Sequence, residues 1–183
     1  MNLIGISETR LFAEIRWHYY LKESPLLLKY CPIKTPALCL HSVKGNGMAL
    51  EHVVDQTDDI CFAAILQNPF AIKHVIRSNE SLNKLAISLC PQTLKYIKDQ
   101  THMLCMLAVK LDAWALVHVK NQTKKIKLQA IETEPFAIIA MENPDKNIVF
   151  AAIDLNPNVI SVLDDQKEIY CLKSVSRNGM CLR

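Results

Sequence analysis

The sequence predicts an all-α protein, an α-solenoid of eight 22-residue helix-turn-helix repeats. Two observations predict it. The chain divides from Gly5 into eight segments of equal length without an insertion, and three positions of the segment keep one kind of side chain. Because helices this short are unstable alone in water, successive repeats must stabilise one another by stacking. We therefore predict one repeat domain over 1–183, with repeats 5–26, 27–48, 49–70, 71–92, 93–114, 115–136, 137–158 and 159–180.

Three columns of the repeat carry this prediction. Position 2 is Leu or Ile in every repeat: Ile6, Leu28, Leu50, Ile72, Leu94, Leu116, Ile138 and Ile160, with Leu182 in a truncated ninth repeat. Position 17 is always aliphatic: Leu21, Val43, Ile65, Ile87, Val109, Ile131, Ile153 and Val175. Position 16 is small in seven of the eight repeats: Ser42, Ala64, Ala86, Ala108, Ala130, Ala152 and Ser174. Small side chains there allow neighbouring helices to approach closely.

Capping residues give the helix boundaries. Position 9 offers side chains that accept from free amides at a helix start, which predicts a helix from about position 10 to 19: Thr35, Thr57, Asn79, Thr101, Thr123 and Asp145. Position 20 is often Asn or Asp and position 21 is often Pro, a pair typical of an N-cap followed by the first helical residue. The second helix should therefore start there and run to position 6 of the next repeat.

The first repeat departs from the pattern at Trp17, His18, Tyr19 and Tyr20, and Tyr20 takes the small-residue position. Terminal repeats commonly deviate because they close the hydrophobic stack, so we interpret the first repeat as a cap. The alternative is an exposed recognition patch or a contact between two copies. At the other end, Cys181 to Arg183 begin a ninth repeat and stop, so a homodimer through a terminal repeat is also expected.

Composition excludes several classes of protein. The chain has neither a charge-free segment of membrane-spanning length nor a signal-peptide pattern, which predicts a cytoplasmic protein with no membrane partner. Four of the seven cysteines share one repeat position, where a buried thiol acts as a small hydrophobe: Cys39, Cys61, Cys105 and Cys171. Metal-ligand spacings, nucleotide-binding glycine loops and hydrolase motifs are absent from the sequence. We therefore expect no metal, no cofactor and no enzymatic activity.

Position 4 supplies the first candidate for binding. It carries five amphipathic side chains in succession, called here the ladder: Tyr30, His52, His74, Tyr96 and His118. Lys73 and Lys95 stand one position earlier in their repeats. The ladder could pack between repeats with its polar tips exposed, or it could form a platform for a partner or a nucleotide. Histidines on separate repeats are too far apart to share a metal ion.

A second candidate is the basic turn formed by Lys120, Lys124, Lys125 and Lys127. Positive charge at a helix start is locally unfavourable. The turn is either a solvated surface or a contact with an acidic protein or a phosphate backbone.

The columns Ala-Leu-x-His/Tyr-Val, Asn/Asp-Gln-Thr, Ile-Cys-x-x-Ala and Asn-Pro/Gly resemble the short helical repeats of domain of unknown function 4116, most clearly in 49–70 and 93–136. The resemblance implies an origin in a large phage or giant DNA virus, and it supplies no reaction and no catalytic residues. We expect a non-enzymatic scaffold that binds a protein, such as a host defence factor that it inhibits. The alternative is a solenoid that binds nucleic acid or a small nucleotide, although the net charge of +3 favours this less.

Overall fold

A computed structural model describes residues 3–178, with side chains from Thr9 onward. Within that range every regular element is a helix, and the chain contains no strand. Eight α-helices alternate with seven 3₁₀ helices, which confirms the all-α solenoid of 22-residue repeats. The α-helices are α1 (Leu3–Glu23), α2 (Pro36–Gly45), α3 (Asp58–Gln67), α4 (Glu80–Leu89), α5 (His102–Leu111), α6 (Lys124–Thr133), α7 (Lys146–Leu155) and α8 (Glu168–Arg177). The 3₁₀ helices are η1 (Pro25–Tyr30), η2 (Gly47–His52), η3 (Pro69–His74), η4 (Pro91–Tyr96), η5 (Ala113–His118), η6 (Pro135–Ala140) and η7 (Pro157–Val162).

The α-helices from α2 to α8 span positions 10 to 19, as the caps predicted. Thr57 is representative: its hydroxyl oxygen accepts a hydrogen bond from the Ile60 amide at 3.4 Å. Thr35, Asn79, Thr101 and Asp145 cap their helices in the same way. Thr123 is the exception, because its hydroxyl makes no capping bond and is buried with no hydrogen-bond partner among residues 3–178. Five of the six predicted caps are therefore confirmed.

The second helix of each pair differs from the prediction in type and length. It is a six-residue 3₁₀ helix that ends at position 4 of the next repeat, rather than a longer helix ending at position 6. A glutamine at position 8 of the preceding repeat binds the chain at this end. Gln56 Nε2 donates to the His74 carbonyl and Gln56 Oε1 accepts from the Ile76 amide, both at 2.8 Å. These bonds satisfy backbone groups that a longer helix would have paired internally.

The same glutamine clamp recurs in two further repeats. Gln100 binds the His118 carbonyl and the Lys120 amide, and Gln122 binds the Ala140 carbonyl and the Glu142 amide. Lys34 takes this position one repeat before Gln56, and its ammonium group donates to the His52 carbonyl at 3.0 Å. In the repeats that contain Gln56, Gln100 and Gln122, the turn motif Asp/Asn-Gln-Thr thus joins the repeat to the following one. In the first two of these its threonine also caps a helix.

The three columns form the core. At position 2 the side chains from Leu28 to Ile160 are buried, and at position 17 those from Leu21 to Ile153 are buried. Val175 in the last repeat is 37% exposed. All seven small residues at position 16 are fully buried. Ile6 and Leu182 lie outside the residues whose side chains the structure describes.

Close packing explains the small column. A Cβ atom added to Gly47, at position 21, would lie 2.2 Å from the carbonyl oxygen of Ala64, at position 16 of the next repeat. Where position 16 is serine, its hydroxyl donates to the carbonyl at position 21 of the preceding repeat, from Ser42 to Pro25 at 2.6 Å and from Ser174 to Pro157 at 2.9 Å. The backbones of adjacent repeats therefore touch at this point.

The repeats group into two compact units, Met1–Tyr96 and Ile97–Arg183. In each unit every α-helix packs on the next α-helix, and every 3₁₀ helix packs on the next 3₁₀ helix. Each unit therefore has one row of α-helices and one row of 3₁₀ helices. Among the helices of residues 3–178, none combines the length and the apolar character needed to cross a bilayer.

The first repeat is one continuous 21-residue helix, α1, rather than a helix pair. Position 9 is Ala13 here, so the side chain that caps the other helices is missing, and neither proline nor glycine lies nearby to break the helix. Trp17 packs against the core of the N-terminal unit, whereas Tyr19 and Tyr20 are exposed.

Candidate functional site

The ladder residues lie at the last position of their 3₁₀ helices. Four of them, Tyr30, His52, His74 and Tyr96, occupy successive packed helices of the N-terminal unit, and His118 occupies η5 in the C-terminal unit. Tyr30 is 69% exposed, but the side chain of His74 is only 17% exposed. The ladder therefore combines exposed and packed side chains and does not form a uniform platform.

His74 shows what packing does to a ladder histidine. Its Nε2 atom is buried, has no hydrogen-bond partner among the described residues, and lies 4.0 Å from a Glu51 carboxylate oxygen. Burial is the main cause of the lowered pKa of His74; Lys73 and His52 lower the pKa further, and Glu51 opposes them. A neutral imidazole in this position serves packing between repeats.

The two lysines that adjoin the ladder differ in their surroundings. Lys95 Nζ lies 4.8 Å from the ring centre of Tyr96 and 5.6 Å from that of Phe70, and the two rings meet edge to face at 6.1 Å. Lys73 is exposed on η3. The ammonium group of Lys95 therefore makes cation–π contacts with Tyr96 and Phe70 of its own chain.

The basic turn is largely committed to contacts within the chain. Lys120 Nζ donates to the Lys98 carbonyl at 2.7 Å, and Lys127 Nζ donates to the Glu142 carbonyl at 2.5 Å. Lys124 lies 4.0 Å from the carboxylate of Asp145. Lys125 is exposed on the first turn of α6. Three of the four lysines thus bind neighbouring repeats, so they do not form a free basic face.

Open clefts lie between the turns of adjacent repeats, and each contains a cysteine from the shared position. Cys39, Cys61 and Cys105 line separate clefts, and all three thiols are buried. Desolvation raises the pKa of each thiol, so each stays protonated and unreactive at neutral pH. The prediction of buried or half-buried thiols is confirmed for all four residues of this column, because Cys171 is half-buried.

An exposed apolar surface on η5 and η6 was not predicted from the sequence. Side chains three residues apart in a 3₁₀ helix point the same way, so Trp114 and Val117 share one face of η5. Phe136 and Ile139 share the equivalent face of η6, which packs beside η5. Trp114 is 44% exposed, Val117 61% and Ile139 56%. We call Trp114, Val117, Phe136 and Ile139 the apolar patch.

One column of the repeat contains the signal for this patch. Position 3 is Ser7 in the first repeat and is charged in the next four repeats: Lys29, Glu51, Lys73 and Lys95. In the next two repeats it becomes Val117 and Ile139, and in the last it is Ser161. An outward-facing column that changes from charged to aliphatic cannot be explained by packing. Val117 and Ile139 thus place aliphatic side chains at exposed positions.

Across the described part of the chain, no group of three or more His, Cys, Asp or Glu residues is placed to hold a metal ion. The resemblance to the short viral and phage repeats stays an expectation from the quoted columns. The chain matches no known family model, no curated protein and no solved structure.

Proposed function

We propose that this protein is a non-enzymatic scaffold that binds another protein through the apolar patch of its C-terminal unit. The observation that carries the proposal is the exposure of Trp114, Val117 and Ile139 on adjacent 3₁₀ helices. Interfaces between proteins characteristically place aromatic and aliphatic side chains at the centre and polar groups around them. Trp114 is the expected anchor, because tryptophan is enriched among residues that dominate binding energy.

Polar residues border the patch in the way that such an interface requires. Asp112 and Glu134 precede Trp114 and Phe136 by two residues, and each carboxylate accepts a hydrogen bond from the amide of that aromatic residue. Both carboxylates therefore hold the start of a 3₁₀ helix and the backbone of the aromatic residue that follows. A patch that is preorganised in this way loses little conformational freedom on binding.

Nucleic acid is the less favoured partner. A nucleic-acid surface needs a concentrated set of free Lys and Arg side chains. The described lysines of the basic turn are mostly bound to carbonyl oxygens or a carboxylate, and Lys95 stacks on aromatic rings. A host factor as the partner, and inhibition as the outcome, are proposed on the resemblance to viral and phage repeats together with the absence of enzyme motifs from the sequence.

The test uses the charge pattern of the repeat itself. Val117→Lys with Ile139→Lys places lysine at position 3, where three other repeats already carry it as Lys29, Lys73 and Lys95, so the variant should fold. The wild-type chain is immobilised, retained host proteins are identified, and the affinity of each purified protein is measured by calorimetry. We expect the double variant to lose at least about tenfold in affinity, or about 1.4 kcal/mol.

The control is Lys73→Ala with Lys95→Ala, which alters the ladder face and leaves the apolar patch intact. It should bind within about twofold of wild type, which is below the range that marks an important interface residue. Loss of binding by this control and retention by Val117→Lys with Ile139→Lys would transfer the function to the ladder. Retained material that nuclease removes, with affinity falling steeply as salt rises, would support the nucleic-acid alternative.

A further inference from the structure

The imidazole rings of His18 and His41 meet on adjacent helices of the N-terminal unit. His18 lies on α1 and His41 on α2, and these two helices pack on each other. The ring centres are 4.9 Å apart, and the ring planes are inclined at 64°. His18 is exposed and His41 is half-buried, so an ion from solvent can reach the pair. The two residues belong to different repeats, and no metal-ligand spacing in the sequence indicates them.

The repeat brings these two positions together elsewhere as well. His18 stands at position 14 of the first repeat and His41 at position 15 of the second. In the last two repeats the same positions hold Phe150 and Lys173, and the ammonium group lies 5.8 Å from the ring centre. In every pair of successive repeats other than the first, at least one of the two positions is apolar. Packing is served by an apolar side chain there, so it does not explain two histidines.

The ring nitrogens of the pair are available to a ligand. Within residues 3–178 the two imidazoles contact each other, and neither takes part in a hydrogen bond or an ion pair. Burial lowers the pKa of His41, and the nearby His18, Lys22 and Lys44 lower it further. His41 is therefore mostly neutral at neutral pH, and the neutral imidazole is the form that binds a metal ion.

We propose that His18 and His41 together bind a divalent transition-metal ion, such as Ni²⁺ or Zn²⁺, and so join α1 to α2. Imidazole nitrogen binds zinc at about 2.0–2.1 Å, which puts the centre of each ring roughly 3.2 Å from the ion. Two rings on neighbouring corners of a tetrahedral or square-planar ion then lie about 4.5–5.2 Å apart. The 4.9 Å between the ring centres of His18 and His41 falls within this range.

The surroundings of the pair determine the class of ion. Lys22 and Lys44 lie near His41, and within the described chain no third His, Cys, Asp or Glu is placed to complete the site. Hard cations such as Mg²⁺ and Ca²⁺ need several oxygen ligands, so they should not bind here. Nickel, copper and zinc ions accept imidazole nitrogen, and water fills their remaining positions. We expect micromolar affinity, because only two uncharged ligands hold the ion and both lysines repel it.

Calorimetric titration of the full chain with NiCl₂ tests the site. Wild type should bind Ni²⁺, and the ion should raise the melting temperature because it binds the folded chain. His18→Ala and His41→Ala should each weaken binding at least about tenfold, since a single ligand lacks the gain from a second one held beside it. Both variants should also lose the rise in melting temperature. His102→Ala removes an exposed histidine of α5 and should leave binding unchanged. MgCl₂ should produce no heat of binding.

An NMR titration of wild type identifies the ligands even if an alanine variant fails to fold. Zn²⁺ should shift the ring signals of both His18 and His41 and leave those of His102 in place. Wild type that binds Ni²⁺ no more tightly than His18→Ala overturns the proposal, as does a Zn²⁺ titration in which the ring signals of His18 and His41 do not move. Either result would mean that the two rings only pack against each other.

Discussion

At the scale of single residues, the glutamine at position 8 connects folding within a repeat to packing between repeats. Gln56 is half-buried, and its side-chain amide group binds backbone atoms of its own repeat and of the next one. Where glutamine is replaced by Lys34, only a donor remains, and that donor still reaches the equivalent carbonyl at His52. Donation to this carbonyl is therefore the contact that both residue types keep.

We expect Gln56→Ala to lower the free energy of unfolding by about 1–2 kcal/mol, because the His74 carbonyl loses its partner in a half-buried setting, whereas the exposed Ile76 amide can bind water instead. Urea denaturation followed by circular dichroism measures it. Asp55→Ala is the matched control one residue earlier, on an exposed side chain, and should change stability by less than about 0.5 kcal/mol. Equal effects of both variants would show that the clamp does not stabilise the stack.

His74 gives stability a dependence on pH. Its pKa is lowered in the folded chain from the ordinary value of 6.5, so below that pH the unfolded chain takes up a proton more readily than the folded chain. The free energy of unfolding is therefore not reduced by His74 above about pH 6.5, and it decreases as the pH falls below that value. His41 has a lowered pKa as well, mainly through burial and then through His18, and acts in the same direction.

His74→Gln should therefore lose less stability than wild type between about pH 7.5 and pH 5, because it lacks this titrating group. Urea denaturation at a series of pH values measures the difference, and an NMR titration of the His74 ring should give a pKa below 6.5. An NMR pKa above 6.5 would mean that the ring is held protonated by Glu51, contrary to the burial seen here.

At the scale of secondary-structure elements, the α-helices could be predicted from sequence and the 3₁₀ helices only in part. Capping side chains such as Thr57 define the start of α3, and Asn68 ends it and starts the next helix, so both boundaries are local. The end of η3 depends on Gln56, which lies 18 residues earlier in the chain than His74. A boundary set by a contact between repeats leaves no local signal.

The candidate sites also differ in how far the sequence could predict them. The ladder was a candidate binding site because its residue types recur from repeat to repeat. Packing between repeats also produces such recurrence, and the side chain of His74 is largely packed. Val117 and Ile139 of the apolar patch lie in the column that changes from charged to aliphatic after Lys95. The unbroken helix α1 could have been predicted from Ala13 in the capping column. Thr123 could not have been recognised as an exception, since its sequence is that of a cap.

The small column gives a prediction for an element. Ala130→Leu in α6, which packs between α5 and α7, should destabilise the protein by about 1–3 kcal/mol through overpacking. Glu132→Leu places the same side chain on the exposed face of the same helix and should have an effect below about 0.5 kcal/mol. Similar melting temperatures for the two variants would place Ala130 away from the helix contact.

At the scale of the whole molecule, the repeat separates stability from binding. Positions 2, 16 and 17 build the core in both units, whereas position 3 is free to vary because it faces outward. In the N-terminal unit position 3 carries mostly charged side chains, and in the C-terminal unit it contributes aliphatic side chains to the apolar patch. A surface can therefore be changed in one unit without altering the packing that holds either unit together.

Hydrogen exchange with and without the captured partner tests the central claim most directly, because it locates the binding surface without a mutation. Binding through the apolar patch should slow exchange in η5 and η6, Ala113–His118 and Pro135–Ala140. Amides of the ladder helices of the N-terminal unit, from Pro25–Tyr30 to Pro91–Tyr96, should exchange at unchanged rates. Protection confined to those ladder helices, with none in η5 or η6, would contradict the proposed function.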